Sequence, residues 1–250
     1  VKEGMATDPA GQERLKPLLR FFSSRAGELK PTSLSEYVGR MQPEQREIYY
    51  VLGDDLQSVT HSPHLDYFRR ANLEVLYLVD PLDSFMLSGL QSFEGFPLKN
   101  ANDPNLELPK PADAPAAEAL PPAEFEALSA RFKEVLGDRI SDVRVTDRLV
   151  DSPLRLVSPG DASTHNMDRV RRMMEKDFTV PQKIVEINAQ HPLIKNVAAL
   201  VGQEGSADLA NTVIEQLYES ALLVEGLLTN PAGMVGRIQK LMEAATKGPG

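Results

Sequence analysis

Residues 208–246 read DLANTVIEQLYESALLVEGLLTNPAGMVGRIQKLMEAAT and predict two helices with a large combined apolar surface. At about 100° per residue the first helix has a broad apolar arc, while Tyr218, Leu222 and Leu223 lie outside that arc. The arc consists of Leu209, Val213, Ile214, Leu217, Ala221, Val224 and Leu228. The second helix, after Asn230-Pro231, has one stripe made of Val235, Ile238, Leu241 and Met242. A helix that is apolar on several sides is normally buried on several sides, so either the rest of this chain or a second copy must cover it.

The composition excludes several classes of protein. A length of 250 residues predicts two domains, each large enough to bury a core. The absence of cysteine excludes disulfides, thiolate zinc sites and thiol catalysis, and the net charge of -9 disfavours nucleic acid as a partner. The longest stretch without a charged residue, 226–236, is too short to span a membrane, and the start has no signal pattern. We expect a soluble, cytoplasmic protein that binds neither nucleic acid nor membrane, and the start at Val1 fits a piece of a longer chain.

Residues 1–103 predict a small α-β-α sandwich domain. Continuous apolar runs at Ile48–Leu52 and 75–79 suit strands of a parallel-type sheet that is buried on both faces. Ser33 and Glu36 have the spacing of a capping box, which predicts a short helix to about residue 41. Further helices are predicted at 12–22, after Ser62-Pro63, and at 81–90.

Residues 104–122 contain six of the nineteen prolines and predict a linker. Residues 123–250 then predict a mixed α+β domain that ends in the helical pair. Its first helix starts near Pro122 and is stopped by Gly137, and three short strands are predicted around 143–145, 154–156 and 184–187. Two more helices are predicted at 163–176 and from Pro192. Arg144 and Arg155 alternate with the apolar strand residues.

The sequence predicts no active site. It contains neither of the glycine-rich phosphate-binding motifs and no nucleophile elbow. His61 and His64 are the only close histidine pair, and they flank a helix start where local spacing supplies no further metal ligands. We therefore expect no catalytic, cofactor-binding or metal-binding residues.

The helix predicted at 163–176 carries an apolar stripe that is rich in methionine. The stripe consists of Met167, Val170, Met173 and Met174. Flexible thioether side chains adapt to varied apolar partners, which favours a binding surface. Most amphipathic helices pack on their own domain, however, so the pattern alone also allows an ordinary core-facing stripe.

Short matches in order along nearly the whole chain resemble the heat-shock protein 90 family of chaperones, bacterial HtpG type. In the first half these are Val1-Lys2-Glu3-Gly4, Leu18-Leu19-Arg20-Phe21, Thr32-Ser33-Leu34-Ser35-Glu36-Tyr37, Gln45 with Ile48-Tyr49-Tyr50, Ser62-Pro63, Glu74-Val75-Leu76 and Asp80-Pro81-Leu82-Asp83. In the second half they are Val143-Arg144-Val145-Thr146-Asp147-Arg148-Leu149, Asp151-Ser152-Pro153, Glu186-Ile187-Asn188, His191-Pro192 and Ala221-Leu222-Leu223-Val224-Glu225-Gly226.

The resemblance implies the C-terminal part of a middle domain joined to a C-terminal dimerisation domain. In this family ATP and magnesium are bound by an N-terminal domain, so we expect no cofactor and no ATPase activity from this chain. Family members form homodimers through a four-helix bundle of their last two helices. The implied dimerisation residues are Leu209, Val213, Ile214, Leu217, Ala221, Leu222, Val224, Leu228, Val235, Ile238, Leu241 and Met242.

The resemblance also implies two surfaces that bind unfolded or partly folded client proteins. The family has an amphipathic client-binding helix at the place of the methionine stripe, which makes Met167, Val170, Met173 and Met174 candidate contacts. The second surface lies on the helix after Asp80, where Phe85 stands at a position that is tryptophan in many members. A dimeric scaffold of the same architecture without chaperone activity is the alternative.

Overall fold

The computed structural model describes residues 1–25, 30–108, 119–160, 171–172, 174–175 and 178–247. The chain divides into two compact units, the first made of Val1–Pro111 with Gly160–Phe178 and the second of Ala112–Pro159 with Thr179–Gly250. Most of the helix predicted at 163–176, and residues 109–118 of the predicted linker, lie outside the described residues. The described residues 171–172 and 174–175, which the sequence prediction assigned to the second domain, belong to the first unit.

The first unit is a mixed sheet with helices on both faces. Its helices and strands in the described residues are α1 (Lys2–Thr7), α2 (Gln12–Leu15), β1 (Phe22–Ser23), α3 (Leu34–Val38), β2 (Ile48–Leu52), α4 (Leu56–Thr60), α5 (Asp66–Arg70), β3 (Val75–Leu78), α6 (Asp83–Met86), β4 (Ser92–Phe93) and β5 (Phe96–Asn100). The strand order is β1-β3-β2-β5-β4, in which β3, β2 and β5 are parallel and the outer strands β1 and β4 are antiparallel to their neighbours.

Alternate residues of β2 belong to two separate cores, which confirms the prediction of a strand buried on both faces. Tyr50 packs with Leu34, Tyr37 and Met86 on one face of the sheet. On the other face, the neighbouring strand residues pack against the helices that connect β2 to β3. The capping box is also confirmed, because the Ser33 hydroxyl accepts from the Glu36 N–H while the Glu36 carboxylate accepts from the Ser33 N–H.

Two predicted helices of this unit are much shorter than their patterns indicated. The helix predicted at 12–22 ends at Leu15 and continues only as a 3-10 turn, because Pro17 has no N–H to donate. Phe22 instead starts strand β1. The helix predicted at 81–90 is limited to Asp83–Met86, since Ser88 and Gly89 are poor helix formers.

The second unit is a mixed α+β unit, as predicted. Its described elements are α7 (Pro122–Leu136), β6 (Ile140–Val145), β7 (Leu154–Val157), β8 (Lys183–Ile187), α8 (Pro192–Gly202), α9 (Ala207–Val224) and α10 (Met234–Thr246). The three-stranded sheet has the order β6-β8-β7, with β6 parallel and β7 antiparallel to β8. Gly137 ends α7 with φ 54°, a left-handed conformation that glycine adopts without steric cost.

A buried ion cluster crosses this sheet, although the strand pattern had placed its arginines in alternation with the core residues. Arg155 is 1% exposed, and its Nε donates to Glu186 at 2.5 Å. Arg144 donates to the other Glu186 oxygen at 2.6 Å. Burial alone would raise the pKa of Glu186, but the two guanidinium groups outweigh burial and hold this pKa below its ordinary value.

Candidate functional site

The helical pair predicted at residues 208–246 forms a hairpin in which α9 lies against its own unit. Helix α9 packs on α7, α8 and β7 as well as on α10, whereas α10 packs chiefly on α9. Gly226 has φ 68°, and the Leu227 N–H donates to the Leu222 carbonyl, which together form a Schellman motif at the end of α9. Leu227 is fully buried, so the turn into α10 is fixed by packing as well as by hydrogen bonds.

Charged pairs hold α9 in this orientation. Arg237 of α10 makes two hydrogen bonds to the Glu219 carboxylate, at 2.6 and 3.2 Å. One turn earlier on the same side of α9, Arg139 makes a similar two-pronged contact with Glu215, at 2.6 and 2.8 Å. The Arg139 guanidinium also lies 5.3 Å from the centre of the Tyr218 ring. One face of α9 is therefore committed to contacts within the chain.

The structure separates the predicted dimerisation residues into three groups by exposure. Those already buried within the single chain are Ile214, Leu217, Ala221 and Leu222. Those that are half-buried are Leu209, Val213, Val224, Leu228 and Leu241. Those that are exposed are Val235, Ile238 and Met242. The first group cannot offer free surface to a partner without unfolding.

The apolar surface that remains free is concentrated on α10. Val235 is 53% exposed, Ile238 40% and Met242 62%, and their spacing puts them on one side of the helix. Leu223 of α9 is exposed by 46%, although it was not among the predicted contacts. The sequence signal for the exposure of Leu223 was its position outside the apolar arc of the predicted helix. These four exposed side chains of the hairpin, Leu223 on α9 with Val235, Ile238 and Met242 on α10, are called the α10 stripe below.

The predicted client contacts are described only in part. Met174 is 76% exposed, and Phe85 on α6 is 47% exposed. Met167, Val170 and Met173 lie outside the described residues. Leu82, one turn before Phe85, is also exposed and adds to the apolar surface of α6.

A cavity connects the segments that carry Phe85 and Met174. It has a volume of about 340 Å³ and lies beyond the carboxyl ends of β2 and β3, where Gly53 and Val79 form part of its wall. Ser84, which precedes Phe85, and Arg172 both line the cavity. Arg172 donates to the Asp54 carboxylate at 3.0 Å. Phe85 and Met174 themselves do not line the cavity, so it adjoins the two segments without including either predicted contact.

The described residues show no sign of metal chemistry. Among them, no group of three or more His, Cys, Asp or Glu side chains could hold a metal ion. The His191 Nδ1 accepts from the Leu193 N–H and caps α8, while the His61 ring contacts the Gln57 carbonyl at 2.8 Å. No helix in the described part of the chain is long and apolar enough to cross a membrane.

Comparison with known proteins identifies the family. The Hsp90 protein family matches residues 1–248. The chain belongs to the Hsp90 family. It is 38% identical over 249 residues to the chaperone protein HtpG of Chlorobium phaeovibrioides, covering 98% of this chain and 39% of that protein. It is 37% identical over 245 residues to HtpG of Nitratidesulfovibrio vulgaris, with 95% and 38% covered, and 39% identical over 250 residues to HtpG of Burkholderia lata, with 97% and 38% covered. This Hsp90 chain thus spans about two fifths of the length of these relatives, and its resemblance to the family is confirmed.

Proposed function

We propose that this chain is the dimerising and client-binding part of an HtpG-type chaperone that works in the cytoplasm in protein folding and the stress response. The observation that supports dimerisation most directly is the α10 stripe, which leaves four large apolar side chains uncovered on one hairpin. An exposed apolar row of this kind indicates an interaction surface. A twofold pairing would place the stripe of one copy against the stripe of the other and build a bundle of four helices.

We assign client binding to the exposed apolar side chains of α6 and of the segment around Met174. Phe85 and Met174 are both exposed, and an aromatic ring and a flexible thioether each suit a partner of variable sequence. Met167, Val170 and Met173, which lie outside the described residues, are kept as candidate contacts of the stripe predicted from the sequence. The surface is small, so each client segment should bind weakly and several segments should act together.

We assign ATP binding and hydrolysis to the N-terminal domain of the family and not to residues 1–250. We expect no ATP or magnesium binding and no hydrolysis by residues 1–250, which a calorimetric titration with magnesium ATP would check. Measurable heat of binding with saturation would contradict this assignment.

The test of the proposed function measures mass and client capture separately. Light scattering should give a dimer for residues 1–250, and replacement of Phe85 and Met174 by serine should reduce capture of an unfolded protein without changing the mass. Leu18→Ser is the matched control, because Leu18 is 56% exposed elsewhere in the first unit. A dimer that captures no unfolded protein would favour the alternative of a scaffold, and a monomer would contradict the dimerisation proposal.

A further inference from the structure

A second pocket of the first unit is lined mainly by cations. It has a volume of about 350 Å³ and lies between the end of β1 and helix α3. Its lining residues are Arg25, Lys30, Pro31, Thr32, Glu36 and Arg40. Three cations and one carboxylate therefore meet here, in a chain whose net charge is -9. The local charge is opposite to that of the whole chain and is not a consequence of a basic composition.

Arg40 is held in a fixed orientation at the wall of this pocket. Its Nε and Nη2 donate to the two oxygens of Glu74, at 3.0 and 2.7 Å, and Glu74 is only 4% exposed. Nη2 also donates to the Thr32 hydroxyl at 2.9 Å. The Nη1 group has no hydrogen-bond partner among the described residues, so its two N–H groups remain as donors. A guanidinium with one edge anchored and one edge free is arranged to bind an oxyanion.

The other walls are positioned by the backbone. Thr32 exchanges two hydrogen bonds with Phe21, at 2.9 and 2.7 Å, which ties this part of the pocket to the start of β1. Arg25 donates through Nη2 to the Asn72 carbonyl at 2.6 Å. The Lys30 ammonium contacts no acid or acceptor in the described part of the chain. The pocket thus retains donors on three different cations.

Glu74 pairs with Arg40 behind the wall, and Glu36 is the carboxylate of the lining itself. The Glu36 carboxylate is already engaged. Its Oε2 accepts from the Ser33 N–H at 2.7 Å and from the hydroxyls of Ser33 and Thr32. The hydrogen bond from the Ser33 backbone is the main reason that the pKa of Glu36 is lowered. Glu36 therefore stays ionised at neutral pH and should weaken, but not prevent, anion binding.

We propose that this pocket is an oxyanion site that takes the phosphate group of a small molecule. Phosphate offers several strong acceptor oxygens and up to two negative charges, which suits three cations better than a carboxylate does. The pocket shares no lining residue with the cavity beyond β2 and β3 and does not depend on the proposed chaperone function. A pocket of this size accommodates a phosphate ester.

The experiment is an NMR titration of residues 1–250 with inorganic phosphate at constant ionic strength, with acetate as the competing oxyanion. Saturable shifts should centre on residues 30–40. The double variant Arg25→Gln/Lys30→Gln should weaken phosphate binding roughly 2- to 30-fold, the range that two exposed ion pairs supply. Arg46→Gln/Lys240→Gln is the matched control, because it removes the same charge at exposed positions outside the pocket.

A further variant removes a negative charge from the pocket and should raise its affinity for phosphate. Glu36→Gln should bind phosphate more tightly while α3 stays intact, because glutamine also completes a capping box. Equal losses in both double variants, acetate binding as tight as phosphate, or no gain in Glu36→Gln would each overturn the proposal.

Discussion

Val235→Asp is the sharpest test of the α10 stripe, because it opposes dimerisation but favours the helix itself. Val235 is the second residue of α10, and an aspartate there interacts favourably with the helix dipole by about 0.3–1 kcal/mol. The side chain is 53% exposed, so the substitution removes few contacts within the chain. Any loss of association therefore reports on contacts with the second copy.

The expected magnitude follows from the exposed fraction. Burying a whole valine side chain is worth about 1.5 kcal/mol, so the exposed half contributes about 0.8 kcal/mol in each protomer. A twofold dimer loses this twice, about 1.6 kcal/mol, which raises the dissociation constant about 15-fold. Burying the two new carboxylates would add several kcal/mol, so a loss on the order of a thousandfold is expected if they stay dry.

The assay is sedimentation velocity over a wide range of protein concentrations, with thermal unfolding measured in parallel. Val235→Asp should shift the monomer–dimer equilibrium toward monomer while the unfolding of the monomer is unchanged. Leu18→Asp is the control, since Leu18 has nearly the same exposure but lies in the first unit. An unchanged dissociation constant for Val235→Asp would refute the assignment of the interface to α10.

Three further outcomes are expected. Leu222→Ala should lower the free energy of unfolding by about 2–5 kcal/mol in a thermal melt, because Leu222 is buried within one chain and the change leaves a cavity. Glu186→Gln should lower the free energy of unfolding by about 1.5–3 kcal/mol at neutral pH, since it removes the charge that accepts hydrogen bonds from both Arg144 and Arg155. Because the pKa of Glu186 is lowered on folding, its contribution is complete above its ordinary pKa and is lost as pH falls through the folded value. The melting temperatures of the unmodified chain and of Glu186→Gln should therefore converge in acid. A difference in melting temperature that does not change with pH would contradict this reasoning. Phe85→Ser should reduce binding of an unfolded protein in a fluorescence assay with no change in melting temperature, and a fall in melting temperature would instead indicate a core role.

The parts of the fold that were predictable are those with strong local signals. The buried strand β2, the capping box at Ser33 and the glycine stop at Gly137 each depend on a few neighbouring residues, and each is confirmed. Strands β1 and β4 have two residues apiece and give no periodicity to detect. Strand β5 contains Pro97 and Lys99, which conceal its apolar pattern. The first sheet is consequently mixed, with five strands, where a small parallel-type sheet was predicted.

Helical periodicity predicted the apolar faces of the hairpin, and the family resemblance implied their role in dimerisation, but neither could separate buried residues from exposed ones. Both Leu217 and Val235 were in the implied set, although the first is 9% exposed and the second 53%. The difference arises from the packing of α7, α8 and β7 on α9, which is a long-range property. The burial of Arg155 was missed for a similar reason, because its partner Glu186 comes from a neighbouring strand.

The division between buried and exposed residues changes the expected strength of the proposed dimer. If all of the predicted residues were free, their burial would far exceed the cost of association. The α10 stripe leaves four side chains per protomer that are about half exposed, so eight of them contribute about 6–12 kcal/mol. Association itself costs about 4–15 kcal/mol, which is of the same size. The half-buried Val213, Val224 and Leu241 must therefore add to the interface if the dimer is tight, and a single charge on α10 should be enough to separate it.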